Sequence, residues 1–171
     1  MARLTPPRPL EVTDNRSDFD CGRESLNQWF RRHAWHNQEA NVSRTSIVCD
    51  SATGEIVGYV TLSAAQIQRA YLPKSAQRNR PDPIPAILLG QLAIDRRHQG
   101  QGFARSLLQF ALTTAVRLSK DIGCFGVLTH PLDDGVRAFY QHFCFEPLPF
   151  DPRQSLIARI ADLELAGFGG P

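Results

Sequence analysis

Two glycines separated by one residue, Gly100 and Gly102, follow a mostly apolar run at residues 87–94 and precede a stretch with helical periodicity. The apolar run predicts a buried strand, and the spacing after the glycines predicts a helix. Because glycine has no Cβ, the backbone between them can fold tightly and direct several N–H groups at one point, where the helix adds the positive end of its dipole. A pyrophosphate suits such a turn.

The spacing of this loop excludes two common nucleotide motifs. The dinucleotide fingerprint requires a third glycine where Arg105 stands, and a P-loop requires a Gly-Lys-Ser/Thr sequence that does not follow. What the spacing leaves is an anion-binding motif of another kind at residues 97–102. Taken alone, the pattern is explained equally well by a strand-to-helix turn that needs two glycines for its backbone.

Tyr140 is the second candidate for chemistry, in the segment RAFYQHFCF at residues 137–145. A reaction that releases a thiolate, with an ordinary pKa of about 8.5, needs a group that can protonate it. A tyrosine hydroxyl, with an ordinary pKa of about 10, can protonate it without being ionised beforehand. The alternative is that Tyr140 and Phe139 are core aromatics of an amphipathic helix.

Length and composition predict one globular domain spanning residues 1–171, with 42% hydrophobic residues and a net charge of +2. The proline-containing start and the lack of an apolar run of about 18 residues predict a cytoplasmic protein with no membrane span. Four scattered cysteines predict reduced, mostly buried thiols. No metal site is expected, since His33 and His36 lack ligand companions.

The basic residues are almost all arginine and are concentrated in the middle of the chain. Of nineteen Lys and Arg residues only Lys74 and Lys120 are lysine, and residues 66–110 hold seven basic residues against two acidic ones. Arginine binds phosphate in a bidentate manner, which favours a polyanionic partner such as RNA, although a solvated surface explains the same pattern. Arg78 and Arg80 lie in a proline-containing stretch that predicts a stiffened surface loop.

The order of elements predicts an α/β (α+β) fold with a mixed, mostly antiparallel central sheet and helices on both faces. One helix is expected from an N-cap at Asp20 to Asn37, one from Gly102 to Lys120 with Leu118 facing inward, and one from Asp133 to Phe143. The predicted strands are Arg8–Val12, Ser43–Cys49, Glu55–Gln68, Ile87–Ile94, Cys124–Thr129 and Ser155–Leu163, with no regular structure at Tyr71–Pro85.

Together these features resemble the acetyltransferases of the GNAT superfamily. The loop at residues 97–102 is similar to their R/Q-x-x-G-x-G/A motif, and the segment around Tyr140 is similar to their N-x-x-A-x-x-F-Y-x-x-x-G-F stretch. Three positions depart from that stretch: Asp133 replaces asparagine, Val136 replaces alanine and Cys144 replaces glycine. The first change removes the amide that usually contacts the pantetheine arm, and the third implies a different turn.

A longer set of residues resembles one GNAT branch, the acetyltransferase toxins of type II toxin–antitoxin systems. The resemblance implies a dimeric enzyme that acetylates the α-amino group of aminoacyl-tRNA, blocks translation and is neutralised by a ribbon-helix-helix antitoxin. The likeness runs from about Phe19 to Pro147 and includes Phe19-x-Cys21-Gly22, Trp29-Phe30, Ala34-x-x-Asn37, Arg44, Val57-Gly58-Tyr59, Pro83-Ile84-Pro85, Leu89-Gly90-x-Leu92-Ala93-Ile94-Asp95 and Phe139-Tyr140.

The resemblance also implies roles for individual residues, with Tyr140 as the catalytic acid. Contacts to aminoacyl-tRNA are expected from Asn37, Arg44, Arg78 and Arg80. Acetyl-CoA is expected to bind Leu92, Ala93, Ile94, Arg97, His98, Gln99, Gly100, Gln101, Gly102, Phe103, Ala104 and Phe139.

The strand segment at residues 86–94 contains no carboxylate that could act as a general base. A lysine side chain with a pKa of about 10.4 would need one, whereas an α-amino group with a pKa of about 7.7–8.0 is already substantially neutral. The pattern is therefore compatible with aminoacyl-tRNA as substrate. Acetylation of a small amine or a protein N-terminus, and a non-catalytic acyl-CoA-binding module, are the two alternatives.

Overall fold

The computed structural model describes residues 2–170 of the chain, which form a mixed α/β fold. The helices are α1 Glu24–Arg32, α2 Ala34–Glu39, α3 Lys74–Gln77, α4 Phe103–Leu118, α5 Asp134–Gln141 and α6 Ile160–Leu165. The strands are β1 Arg8–Pro9, β2 Arg44–Cys49, β3 Ile56–Ile67, β4 Ile84–Ile94, β5 Gly126–Thr129, β6 Glu146–Pro147 and β7 Leu156–Arg159.

The strands form one sheet in the order β1-β2-β3-β4-β5-β7-β6. The pairs β1–β2, β2–β3, β5–β7 and β6–β7 are antiparallel, whereas β4 and β5 run parallel with Ile87 opposite Val127. A parallel pair requires a crossover connection, which α4 provides. The predicted α/β class with a mixed, mostly antiparallel sheet is confirmed.

Contacts divide the described residues into two compact units. The first unit comprises residues 2–63 and 90–111, and the second comprises residues 64–89 and 112–170. In the core of the first, the Tyr59 ring stacks on Phe30 with 4.2 Å between centroids, and its hydroxyl donates to Leu26 O at 2.8 Å. The core of the second is aliphatic, with members from β4, β5 and β7. The single domain expected from the sequence stays a prediction.

The first helical segment contains two helices rather than one, because α1 ends at Arg32 and α2 begins at Ala34. The prediction of Asp20 as the N-cap is wrong, since Arg23 occupies that position. Asp20 instead accepts hydrogen bonds from Gly22 N and from Asn27 Nδ2, both at 2.8 Å. Its carboxylate therefore closes the turn before the helix, where Gly22 has a positive φ of 87°.

The last predicted strand, Ser155–Leu163, is wrong beyond Arg159, where α6 begins. Ile160 and Leu163 are both buried, and residues three apart lie on the same face of a helix. Asp162 also forms an ion pair with Arg159, with 2.9 Å between Oδ2 and Nε. The short strand β6 was missed, because two residues carry no periodicity.

Two further predictions need correction. Leu118 does not face inward: it is 39% exposed as the last residue of α4. The stretch Tyr71–Pro85 does contain regular structure, namely α3 and the start of β4. Pro85 is tolerated in that strand because its carbonyl, the only hydrogen-bonding group of its backbone, accepts from Phe125 N at 2.9 Å.

Cys21 and Cys49 are buried free thiols, whereas Cys124 and Cys144 are half-buried free thiols. The predicted burial is therefore confirmed for two of the four cysteines. Between residues 2 and 170, no group of three or more His, Cys, Asp or Glu side chains could hold a metal ion. Over the same residues, no helix has the length and apolar character needed to cross a bilayer.

Candidate active site

Residues 95–102, the anion loop, connect β4 to α4 within the first unit. The loop begins with a 3-10 turn at Arg96–His98 and ends at Gly102, directly before α4. Gly100 and Gly102 have φ values of +77° and +81°, and a Cβ at either position would meet no atom within 4 Å. Glycine is needed here for the left-handed backbone rather than for space.

The anion loop and the first turn of α4 contain several backbone N–H donors. Among the described residues of the first unit, none accepts a hydrogen bond from the N–H groups of residues 100–104. These donors lie at the N-terminus of a 16-residue helix, where the dipole favours negative charge. The loop is therefore suited to an anion such as a pyrophosphate, and its binding of acetyl-CoA, which the family resemblance implies, stays a prediction.

Asp95 anchors the anion loop, a role that the sequence pattern did not reveal. Its side chain is 1% exposed. Oδ1 accepts from Arg97 N at 3.0 Å and Arg97 Nε at 2.9 Å, and Oδ2 accepts from Asp20 N at 3.1 Å. Burial alone would raise the pKa of this carboxyl, but the donors outweigh it and hold the pKa below its ordinary value. A buried, ionised carboxylate therefore fixes the backbone of the loop.

Gln99 and Arg97 reinforce the same loop. Gln99 Nε2 donates to Cys21 O and to Ile94 O, both at 2.9 Å. The Arg97 guanidinium binds Asp95 and lies 3.4 Å from Glu55 Oε2, and its pKa is raised, chiefly by the hydrogen bond to Asp95. Its charge is thus compensated within the protein, and its predicted contact with acetyl-CoA stays a prediction.

The remaining predicted acetyl-CoA residues lie on regular elements or in the loop. Ala93 and Ile94 are buried and Leu92 is half-buried in β4. The loop residues His98 and Gln101, the first two residues of α4, Phe103 and Ala104, and Phe139 of α5 are all half-buried. Their contacts with acetyl-CoA also stay predictions.

Tyr140 lies in α5, in the second unit. Asp133 is the N-cap of this helix, with a side chain that accepts from Val136 N at 2.9 Å. The Tyr140 side chain is 4% exposed, and its ring packs edge-on against Phe139 and Phe145 at 5.4 and 5.2 Å between centroids. The ring is therefore a core aromatic, as the alternative interpretation expected, and only its hydroxyl is left for chemistry.

The Tyr140 hydroxyl lies beside Thr129. Burial raises the pKa of Tyr140 to about 12, against the lowering effect of a side-chain hydrogen bond with Thr129. Thr129 Oγ1 in turn donates to Leu89 O at 3.0 Å, at the carboxyl end of the parallel pair β4–β5. Crevices outside the carboxyl ends of parallel strands are common ligand sites. Tyr140 is fully protonated at neutral pH, which a general acid requires.

The residues predicted to contact aminoacyl-tRNA have different surroundings. Asn37 is half-buried and its carbonyl accepts from Val42 N at 2.9 Å, whereas Arg44 is exposed at the start of β2. Arg78 is exposed. Arg80 is half-buried, with its guanidinium 4.5 Å from the centre of the Phe125 ring and its Nε donating to Ala76 O at 2.8 Å. Only Arg44 and Arg78 thus have the exposure expected of a phosphate contact.

Comparison with known proteins assigns the family. The chain belongs to the GNAT acetyltransferases, since the profile of the Acetyltransferase (GNAT) family matches residues 11–145. It is 38% identical over 152 residues to a Mycobacterium tuberculosis (strain ATCC 25618 / H37Rv) protein named tRNA-acetylating toxin, covering 89% of this chain and 90% of that protein. The resemblance seen in the sequence is confirmed.

Two solved structures extend the comparison to bound molecules. AtaT complexed with acetyl-methionyl-tRNAfMet matches with a TM-score of 0.88 and 31% identity, covering 96% of this chain and 99% of that one. A tyrosine-to-phenylalanine mutant of AtaT, bound to the C-terminus of the antitoxin AtaR and acetyl-CoA, matches with a TM-score of 0.81 and 28% identity, covering 95% and 97%.

Proposed function

We propose that this protein is a toxin that transfers the acetyl group of acetyl-CoA to the α-amino group of aminoacyl-tRNA and so blocks translation. The observation that carries the proposal is the 38% identity to the tRNA-acetylating toxin over 89% of the chain. Membership of the GNAT acetyltransferases and the likeness to an acetyl-CoA-bound toxin support acetyl-CoA as the co-substrate. The exposed Arg44 and Arg78 suit a polyanionic acceptor.

In the proposed reaction, backbone groups bind the co-substrate and a side chain donates a proton. The N–H groups of the anion loop bind the pyrophosphate, and the amine nitrogen attacks the thioester carbonyl. A nitrogen–carbon bond forms, the carbon–sulfur bond breaks, and the Tyr140 hydroxyl gives its proton to the departing sulfur. The raised pKa of Tyr140, about 12, keeps its hydroxyl protonated until this step. The acetylated nitrogen loses one proton to solvent and Tyr140 regains one from solvent, so the protons balance.

Three further properties follow from the resemblance to the toxin branch. We expect a homodimer, an antitoxin of the ribbon-helix-helix type, and activity in the cytoplasm, where acetyl-CoA and charged tRNA occur. The likeness to an antitoxin-bound AtaT supports a protein partner of this kind.

The test is acetyl transfer from radiolabelled acetyl-CoA to a mixture of aminoacylated tRNAs by the purified protein. Label should enter charged tRNA, and neither uncharged tRNA nor tRNA carrying an N-formylated amino acid should accept it. Label in a polyamine or a peptide N-terminus, with none in charged tRNA, would support the small-amine or N-terminus alternative instead.

A further inference from the structure

The first unit contains a cavity along one side of α4. Its volume is about 480 Å³, which lies within the range of about 300–1,000 Å³ that is typical of small-molecule sites. The residues that α4 contributes to its wall are Phe103, Ser106, Leu107 and Phe110. Residues three and four apart lie on the same face of a helix, so the cavity follows one face of α4 from its first residue.

The rest of the wall comes from β2 and from residues 2–7, the N-terminal segment. Backbone hydrogen bonds hold this segment at the end of β2. Thr5 N donates to Cys49 O, and Ser51 N donates to Arg3 O, both at 2.8 Å. The backbone of Arg3 is therefore fixed, and its exposed side chain lines the cavity.

The lining of the cavity suits a flat apolar group with an anion beside it. Phe103 and Phe110 are both half-buried, and phenylalanine rings bind nucleobases by stacking. Among the described residues that line the cavity, only Arg3 is charged. A guanidinium binds phosphate in a bidentate manner. The expected occupant is therefore a nucleoside that carries phosphate.

The cavity adjoins the anion loop. Phe103, which lines the cavity, directly follows Gly102, the last residue of the loop, and Ser106 Oγ donates to Gly102 O at 3.3 Å. The N–H groups of residues 100–104 lie at this same end of α4, within about one helical turn, or 5.4 Å, of the first cavity residues. A molecule with its pyrophosphate on those N–H groups can place an attached nucleoside in the cavity.

We propose that the cavity binds the adenosine 3′-phosphate part of acetyl-CoA, with the adenine against α4 and the ribose 3′-phosphate on Arg3. The inference rests on the co-substrate of the proposed function and deepens it. In acetyl-CoA the pyrophosphate joins this adenosine to the pantetheine arm, which carries the acetyl group at its other end. The cavity thus binds the part of acetyl-CoA that takes no part in the reaction.

Three ligands separate the contacts that acetyl-CoA makes. Acetyl-dephospho-CoA lacks only the ribose 3′-phosphate, whereas S-acetyl-4′-phosphopantetheine lacks the whole adenosine part. The dissociation constants of these two ligands and of acetyl-CoA are measured by calorimetry on the full chain, without tRNA. The wild type should bind acetyl-CoA about tenfold more tightly than acetyl-dephospho-CoA, because the 3′-phosphate makes charge-assisted hydrogen bonds.

The first variant, Arg3→Gln, tests the phosphate contact. It should weaken the binding of acetyl-CoA about tenfold and leave the binding of acetyl-dephospho-CoA unchanged, so that the two ligands bind equally. Arg117→Gln, which removes the same charge from an exposed position in the last turn of α4, is the matched control. It should keep the preference of the wild type.

The second variant, Ser106→Phe, fills the cavity from an exposed position of α4. It should weaken the binding of acetyl-CoA and of acetyl-dephospho-CoA by at least about tenfold, but not the binding of S-acetyl-4′-phosphopantetheine. Gln109→Phe is the matched control, because it adds the same side chain at an exposed position of the same helix outside the cavity lining. If Ser106→Phe does not fold, Arg3→Gln decides alone.

The outcomes separate this inference from the proposed function. A wild type with equal affinity for acetyl-CoA and acetyl-dephospho-CoA, or equal losses for both ligands in Arg3→Gln, would overturn the inference. A Ser106→Phe variant that binds all three ligands as Gln109→Phe does would overturn it as well. A protein that shows the expected preferences but leaves aminoacyl-tRNA unmodified would contradict the proposed function and support the adenosine site.

Discussion

The anion loop and the residues around Tyr140 offer different parts of the chain for the proposed chemistry. In the loop the proposed ligand donors are backbone N–H groups, and side chains such as Asp95 and Gln99 hold that backbone in place. Around Tyr140 the proposed reactive group is a side-chain hydroxyl, and the backbone carbonyl of Leu89 is only a hydrogen-bond acceptor. Changes in the loop should therefore alter affinity for acetyl-CoA, whereas loss of single atoms around Tyr140 should alter turnover.

The largest effect is expected at Tyr140. Tyr140→Phe keeps the packed ring and removes only the hydroxyl, so turnover should fall about 100-fold or more while acetyl-CoA affinity is unchanged. Growth arrest on expression should be lost as well. Steady-state kinetics and calorimetry on the same preparation check both quantities. A phenylalanine variant as active as its parent would show that Tyr140 is only a core aromatic.

A loss of affinity is expected from the loop glycines. Gly102→Val places a β-branched residue at a φ of +81°, which should distort the turn and weaken acetyl-CoA binding by at least about tenfold. Gly123 is a matched control, because its added Cβ would also meet nothing within 4 Å and its φ is not positive. Calorimetry that finds equal affinities for a folded Gly102→Val and for Gly123→Val would contradict the loop assignment.

The contribution of Asp95 to the free energy of unfolding should depend on pH. Its folded pKa is lowered, so its contribution to stability is present above its unfolded pKa of about 3.9 and is lost as the pH falls through the folded value. Asp95→Asn should lower the free energy of unfolding by about 1.5–3 kcal/mol at pH 7, with a smaller difference below about pH 4. Denaturant titrations at both pH values measure this, with Asp121→Asn at an exposed position as control. A pH-independent difference would contradict it.

The smallest effects are expected for Arg78 and Arg80, whose substitutions should change different properties. Removing Arg78, which is exposed, should flatten the salt dependence of tRNA binding by about one unit without changing thermal stability. Removing Arg80 should instead cost about 0.5–1 kcal/mol of stability through its contact with Phe125. Fluorescence titrations against salt and thermal melts of both alanine variants distinguish the roles. An unaltered slope for Arg78→Ala would place the RNA-facing surface elsewhere.

Local patterns predicted most of the elements. Apolar runs and glycine turns placed β2, β3, β4 and α4 within a few residues, because these signals depend on neighbours in the chain. The failures have the same cause: Asp20 looks like an N-cap locally, yet its backbone N–H binds Asp95, far along the chain. Ser155 looks like a strand residue, yet its hydroxyl contacts His130, which lies 25 residues away in the chain.

The site residues were likewise predictable only where their properties are local. Gly100, Gly102 and Tyr140 could be selected because the left-handed turn and the tyrosine hydroxyl are properties of the residues themselves. Asp95 and Thr129 acquire their contacts at the site only from partners brought together by folding. For Arg80 the sequence suggested a phosphate contact, but the side chain is half-buried against the aromatic ring of Phe125.

The central claim is that the acetyl group reaches the α-amino group of an amino acid esterified to tRNA. Mass spectrometry of aminoacyl-adenosine, released by nuclease from charged tRNA after incubation with acetyl-CoA, tests it directly. We expect N-acetyl-aminoacyl-adenosine with the wild-type protein and a far smaller amount with Tyr140→Phe. Unmodified aminoacyl-adenosine in the wild-type reaction, or equal acetylation by both proteins, would contradict the account.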